Sequence, residues 1–315
     1  MKLTEEPAPF SCVTLMQYLF ESIPQIGICL GTAPVSFNSH GIRKSTCCRL
    51  RTQALEADMV AVALNPPRQK VDRFYVGMAM TCVLVAFGGF APTYWLQLVP
   101  GTFVGPPLLH IHALLFSAWP VLLLTQVLLV ANRRLDLHQA IGLAGISLAT
   151  AMVVIGLAAA ILTLNAGLAA GYGDRARAFL ILPVSAIGLF VCFFVAAIAN
   201  IRRPEAHKRL MLLATISLLQ AALGRVFFVL VTGGGPGLRP GLGEPPPLII
   251  GLVPSLILEL LIVAGVIYDW RTRGRPHPVW LIGAAIMTAV VVLRGPIGGT
   301  AIWLAFAEVL AHIAG

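Results

Sequence analysis

Seven apolar runs recur along this chain: Phe74–Leu98, Leu108–Ala131, Gln139–Leu164, Arg177–Ile201, Lys208–Thr232, Leu248–Asp269 and Pro278–Leu293. Each is long enough, at 1.5 Å per helical residue, to cross or nearly cross about 30 Å of hydrocarbon. Backbone in such a medium must satisfy its own N–H and C=O groups, and a helix does so within one segment. Composition agrees, since 58% of the 315 residues are apolar and only 11% charged, against roughly 25% charged in ordinary soluble domains. A soluble enzyme, a disordered tail and a coiled coil are all excluded. The expected fold is all-α, a polytopic bundle of seven transmembrane helices.

The net charge of +9 would suggest nucleic acid or an acidic partner in a soluble protein. Here the basic residues fill short links between apolar runs, and no basic patch interleaved with aromatics stands apart from them. The expected partner is therefore the lipid bilayer, not nucleic acid. Sixteen Lys and Arg residues lie in the links at one end of the seven spans and four at the other, namely Arg175, Arg177, Arg239 and Arg294. That asymmetry puts the N-terminus in the cytoplasm and the C-terminus outside. Aromatic residues mark the same boundaries: Tyr94, Trp95 and Phe103 outside, Phe74, Tyr75, Trp270 and Trp280 inside.

The remaining segments are less regular. Residues 1–70 read as an N-terminal extension and 71–315 as the membrane domain. Glu21, Pro24 and Pro34 interrupt the apolar stretch Pro9–Phe37, which makes it a poor spanning helix. The extension is either a surface-lying cytoplasmic segment or an artefact of start-site choice, with Met59 the true first residue. Met1–Phe10 carries one Lys and two Glu where a cleavable signal would be basic and then apolar. Cys12, Cys29, Cys47, Cys48, Cys82 and Cys192 form no C-x-x-C, so neither a disulfide framework nor a zinc site is signalled. Gly233–Pro247 has eleven Gly or Pro in fifteen residues and reads as an exposed irregular loop. Ile297–Ala314 is apolar but set off by Gly295-Pro296; it is either an interfacial or re-entrant helix or part of a longer seventh span.

Polar side chains within apolar runs are the candidates for function. His112, Trp119 and Gln126 recur every seven residues and share one face of the second helix. They either pack and glue helices or line a cavity. His110 points roughly opposite His112, so the two cannot aim at one metal. In the fifth helix Arg225 lies near the outer end and needs pairing, hydration or snorkelling. Small residues beneath it would let a neighbouring helix approach. Glu259 in the sixth helix is the mid-span acid and the first candidate counter-ion for Arg225. Trp119, Gln126, Arg225 and Glu259 would then line a central polar cavity. His138 and His207 open the third and fifth helices at matched depth, as bis-histidine haem ligation requires; His277 precedes the seventh. The P-loop, dinucleotide, zinc-protease and serine-hydrolase signatures do not occur, and no internal repeat supports an inverted-repeat transporter.

Gly-Phe-Ala-Pro-Thr-Tyr-Trp at 89–95, His110-Ile-His-Ala with Trp119 and Gln126, Arg134-Leu-Asp-Leu-His, and Arg202-Arg-Pro-Glu-Ala-His-Lys-Arg-Leu-Met-Leu-Leu-Ala together resemble a group of uncharacterised bacterial inner-membrane proteins. The resemblance covers about residues 68–312 and implies a multi-pass protein of the bacterial inner (plasma) membrane. More loosely, histidines at helix starts are similar to those of small haem-associated membrane proteins, the cytochrome b561 type and oxidase-assembly factors. That likeness implies haem b, or a quinone, bound through His110, His112, His138 and His207. Three functional readings follow: a haem- or quinone-associated redox or assembly protein, a proton-coupled small-molecule transporter, and a non-catalytic receptor or scaffold with a membrane-protein partner. No catalytic motif assigns a reaction.

Overall fold

The computed structural model describes residues 73–233 and 242–313; the N-terminal extension lies outside them. Seven helices are long and apolar enough to cross a membrane: α1 (Arg73–Leu98), α2 (Pro107–Ala131), α3 (Leu135–Ala169), α4 (Asp174–Ala199), α5 (Pro204–Val231), α6 (Leu248–Arg273) and α7 (Pro278–Gly298). A shorter helix, α8 (Ala301–Ile313), follows, and no strand occurs among the described residues. The chain is an integral, multi-pass membrane protein with an all-α bundle. Large side chains such as Leu84, Leu143, Val231 and Ile302 face outward and are largely exposed, which a lipid surround makes favourable.

All seven predicted runs carry a helix, but the ends differ where local chemistry outweighs hydropathy. α5 begins at Pro204 rather than Lys208, because a proline in the first turn costs no helical hydrogen bond. α3 extends to Ala169 and stops at Gly171, whose φ of +83° lets Tyr172 N–H bond back to Gly167 O at 3.0 Å. Gly295-Pro296 does not end the seventh span. α7 runs through Pro296 to Gly298, its last turn pressed against Leu248, Ala178 and Ile181. Only Ala301–Ile313 is a separate segment. It docks on α3 and α4 by Ala307 and Ala311 against Ala160, Leu164, Ala176 and Leu180. Trp303 Nε1 donates to Arg177 O at 3.0 Å, and Glu308 pairs with Arg177.

α5 is the central helix. It packs on α1, α4, α6 and α7, and Leu210, Leu212, Leu213, Ala214, Thr215, Ile216, Ser217, Leu219 and Ala222 are all buried. Six consecutive buried residues, Leu212 to Ser217, show that this helix is covered on every side. Close approach is made by small residues. A Cβ on Gly89 of α1 would overlap the Ala222 carbonyl of α5, so the small residues near Arg225 admit a neighbour as the sequence suggested. Gly265 of α6 leaves room for Trp280 of α7, which would meet a Cβ at 2.5 Å. Trp280, read as an interfacial residue, is therefore fully buried, whereas Trp270 is exposed as expected.

Two arginines assigned to links are likewise inside. Arg209 is 1% and Asp269 0% exposed. Arg209 Nε donates to Asp269 Oδ2 at 2.9 Å and Nη2 to Oδ1, a bidentate α5–α6 clamp at the arginine-rich end of the bundle. Arg209 Nη1 also reaches Glu205, which pairs with Lys208 and Arg273. The His277 backbone N–H donates to Asp269 Oδ2 at 3.1 Å. The second misassigned arginine, Arg294, forms part of the site below.

Candidate functional site

The residues expected to line one central cavity occupy four separate places. Trp119 Nε1 donates to Thr215 Oγ1 at 3.0 Å, joining α2 to α5, and its ring meets Phe190 and Phe194 edge-on. It is a packing residue. Gln126 lies toward the arginine-rich end, against α3. With its amide assigned by its backbone partners, Nε2 donates to His138 O at 3.1 Å and His138 Nδ1 at 2.5 Å, and Oε1 accepts from Gly142 N at 3.0 Å. It joins helices, as one of the two sequence readings held. Arg225 stands 5.7 Å from the Phe90 ring and close enough to His112 to act on it electrostatically.

Glu259 does not pair with Arg225. Its Oε2 accepts from Thr288 Oγ1 of α7 at 2.6 Å, and Oε1 is buried with no partner among the described residues. The fifth and sixth helices do pack together, but adjacency carries no information about depth or rotation, and the carboxyl meets Thr288 instead. The acid therefore sits mid-span beside a neutral hydroxyl.

The four histidines do not converge either. His110 is exposed, its Nδ1 2.9 Å from Tyr94 Oη, in a cluster with Phe103. His112 stacks on Phe116, and its Nδ1 is buried with no partner among the described residues. His138 and His207 come within electrostatic range of each other, as their matched depth suggested. Their hydrogen bonds assign opposite tautomers. Gln126 makes His138 Nδ1 an acceptor and leaves the proton on Nε2, whereas His207 Nδ1 donates to Ala197 O at 2.8 Å and leaves Nε2 with a lone pair. Bis-histidine ligation needs two lone pairs facing one iron. These residues do not fit that group.

A site that sequence reasoning missed lies where α4, α5 and α7 meet. Arg294, counted as an outer-link residue, is 5% exposed on α7. Its Nε donates to Ser185 Oγ of α4 at 2.7 Å and its Nη1 to Gln220 Oε1 of α5 at 2.6 Å. Gln220 is itself 8% exposed. Arg294 Nη2 and Gln220 Nε2 are both buried with no acceptor among the described residues. No carboxylate of the described residues pairs with Arg294. The available signal was modest: Ser185 and Gln220 interrupt apolar runs, and Arg294 has apolar neighbours from Ala289 to Leu293.

Thr93 offers a comparable feature on α1. Ala91–Trp95 forms a single π-helical turn, the disturbance expected of Pro92 within a helix. Gln97 Nε2 donates to Pro92 O at 3.2 Å, and Thr93 is 2% exposed with Oγ1 unpartnered among the described residues. The motif Gly89–Trp95 thus serves close packing through Gly89 and a backbone irregularity through Pro92. Cys82 is buried and Cys192 half-buried within helix packing; the other four cysteines lie outside the described residues. No protein-family model, curated protein or solved structure matches the chain.

Proposed function

We propose that this membrane protein is a proton-coupled carrier of small solutes, residing in the bacterial inner membrane, with Glu259 as the group that takes up and releases the proton. The observation that carries the reading is the Glu259–Thr288 pair, a mid-span carboxyl bonded to a neutral hydroxyl rather than to a cation. An ionised carboxylate taken from water into an apolar layer is penalised by several kcal/mol unless paired. A carboxyl in such surroundings has a reason to exchange a proton, and an intramembrane ionisable residue is a functional candidate by default. Proton release would require a hydrated or cationic environment, which movement of α6 against α7 would supply. The redox reading through histidine-bound haem is set aside because the lone pair of His138 Nδ1 is taken by the Gln126 amide, which leaves only that of His207 Nε2 open to a metal.

The test uses purified protein reconstituted in liposomes loaded with a pH-sensitive dye. Anionic, neutral and cationic solutes are added in turn at fixed external pH. The carrier reading expects at least one solute to move the internal pH, and Glu259→Gln to abolish that movement while the protein remains folded. A wild-type protein that moves no protons with any solute class overturns it, as does full activity in Glu259→Gln.

A further inference from the structure

The geometry points to a binding site for a monoanionic carboxylate at Arg294, Gln220 and Ser185, independent of the proton reading and resting on different residues. Arg294 is a permanent cation, buried in the bundle and bonded, among the described residues, only to a serine hydroxyl and a glutamine carbonyl. Neither partner carries charge. Transfer of an uncompensated cation out of water is among the most unfavourable events in a bilayer, and no described acid offsets it. The bundle instead presents two buried nitrogens lacking acceptors, Arg294 Nη2 and Gln220 Nε2, on side chains already bonded to each other. Two N–H donors beside one positive charge suit an acceptor with one negative charge and two oxygens.

Charge counting selects among anions. A phosphate near −2 would be half-neutralised by a single guanidinium, and no second cation of the described residues bonds to this cluster. Chloride would neutralise the charge but is a single point for donors on two separate groups. A carboxylate meets both conditions, and the guanidinium fork matches its plane. Ile181 and Leu248, which border Gly298 one turn beyond Arg294, are apolar, so a carboxylate on an apolar body would be accommodated. Such a molecule could come from water or from the lipid phase.

The experiment measures thermal unfolding of the full chain in lipid nanodiscs at neutral pH and constant ionic strength. Sodium benzoate is added from water, and dodecanoate is preloaded in the lipid. A saturable rise of the unfolding midpoint with either probe supports the site by mass action. A response to benzoate alone places the source in water, and one to dodecanoate alone places it in the lipid. Benzamide, chloride and phosphate are expected to act at least about tenfold more weakly, or about 1.4 kcal/mol. Arg294→Gln should remove the response, but it also strips bonds from Ser185 and Gln220, so Gln220→Glu is decisive. That variant supplies an internal anion against Arg294 Nη1. It is expected to raise the midpoint without added probe and to weaken the carboxylate response at least about tenfold. No response of the wild type to either carboxylate, an equal response to chloride, or an undiminished response in Gln220→Glu overturns the assignment. Failure here leaves the Glu259 experiment untouched, because no proton gradient is involved.

Discussion

Replacing Asp269 by leucine tests whether the α5–α6 clamp holds the arginine-rich end together. Asp269 is wholly buried and accepts from Arg209 Nε, Arg209 Nη2 and the His277 backbone N–H, so solvent screening does not discount the pair. Removing one partner of a buried ion pair costs about 3–5 kcal/mol, because the other charge is left uncompensated. Glu205 still reaches Arg209 Nη1 at 2.8 Å, which favours the lower end for the guanidinium. The orphaned His277 N–H adds about 1 kcal/mol. A loss of about 4 kcal/mol corresponds to a fall of roughly 8–16 °C in the unfolding midpoint of a domain this size. Thermal unfolding in a mild detergent, followed by tryptophan fluorescence, would measure it. The double variant Arg209→Met/Asp269→Leu should recover most of the loss, since an apolar pair removes the uncompensated charge. A single variant within about 1 kcal/mol of wild type, or a double variant no better than the single, would refute the reasoning.

Three further outcomes follow from packing, backbone and titration. Gly89→Ala should destabilise by about 1–3 kcal/mol because its methyl meets backbone atoms of Ala222; Gly88→Ala, with nothing within 4 Å of the added methyl, should be neutral or better, and paired unfolding curves would show the contrast. Arg133 holds φ +60° in the α2–α3 turn, so Arg133→Gly should stabilise by up to about 1–2 kcal/mol, read as a raised midpoint. His277 lies between α6 and α7, and burial, then the cations Arg209 and Arg273, lower its pKa below the usual 6.5, with Asp269 and Glu205 opposing. The folded state therefore binds the proton less readily than the unfolded state. The resulting stabilisation is complete above pH 6.5 and is lost as pH falls through the lowered value. His277→Asn keeps an acceptor for Val279 N–H, which His277 Nδ1 meets at 3.2 Å, and should flatten that acid-side loss; an unchanged pH profile would exclude His277 as its source.

The site was partly legible in the sequence, and the misses share one cause. Charge counting treats every arginine near a span end as a link residue, and Arg209, one of the sixteen at the arginine-rich end, and Arg294 are counted that way. Helix α5 starts at Pro204 and α7 continues to Gly298, which draws both arginines into helical turns that face neighbours. Sevenfold spacing linked Trp119 and Gln126 of α2 in the sequence, but it did not give them a shared partner. Trp119 reaches α5 and Gln126 reaches α3, since α2 contacts both helices at different heights.

What the amino-acid order determined by itself is the solvent and the number of crossings. Hydrocarbon excludes unsatisfied backbone and charge so strongly that apolar run length alone yields seven spans. Which polar groups meet was decided only in three dimensions, by the rotation and depth of each helix as small residues such as Gly89 and Gly265 let neighbours close. Those contacts hold Glu259 to Thr288 and set Arg294 among neutral partners, because bonds across a bundle depend on ångström-scale geometry that no periodicity records.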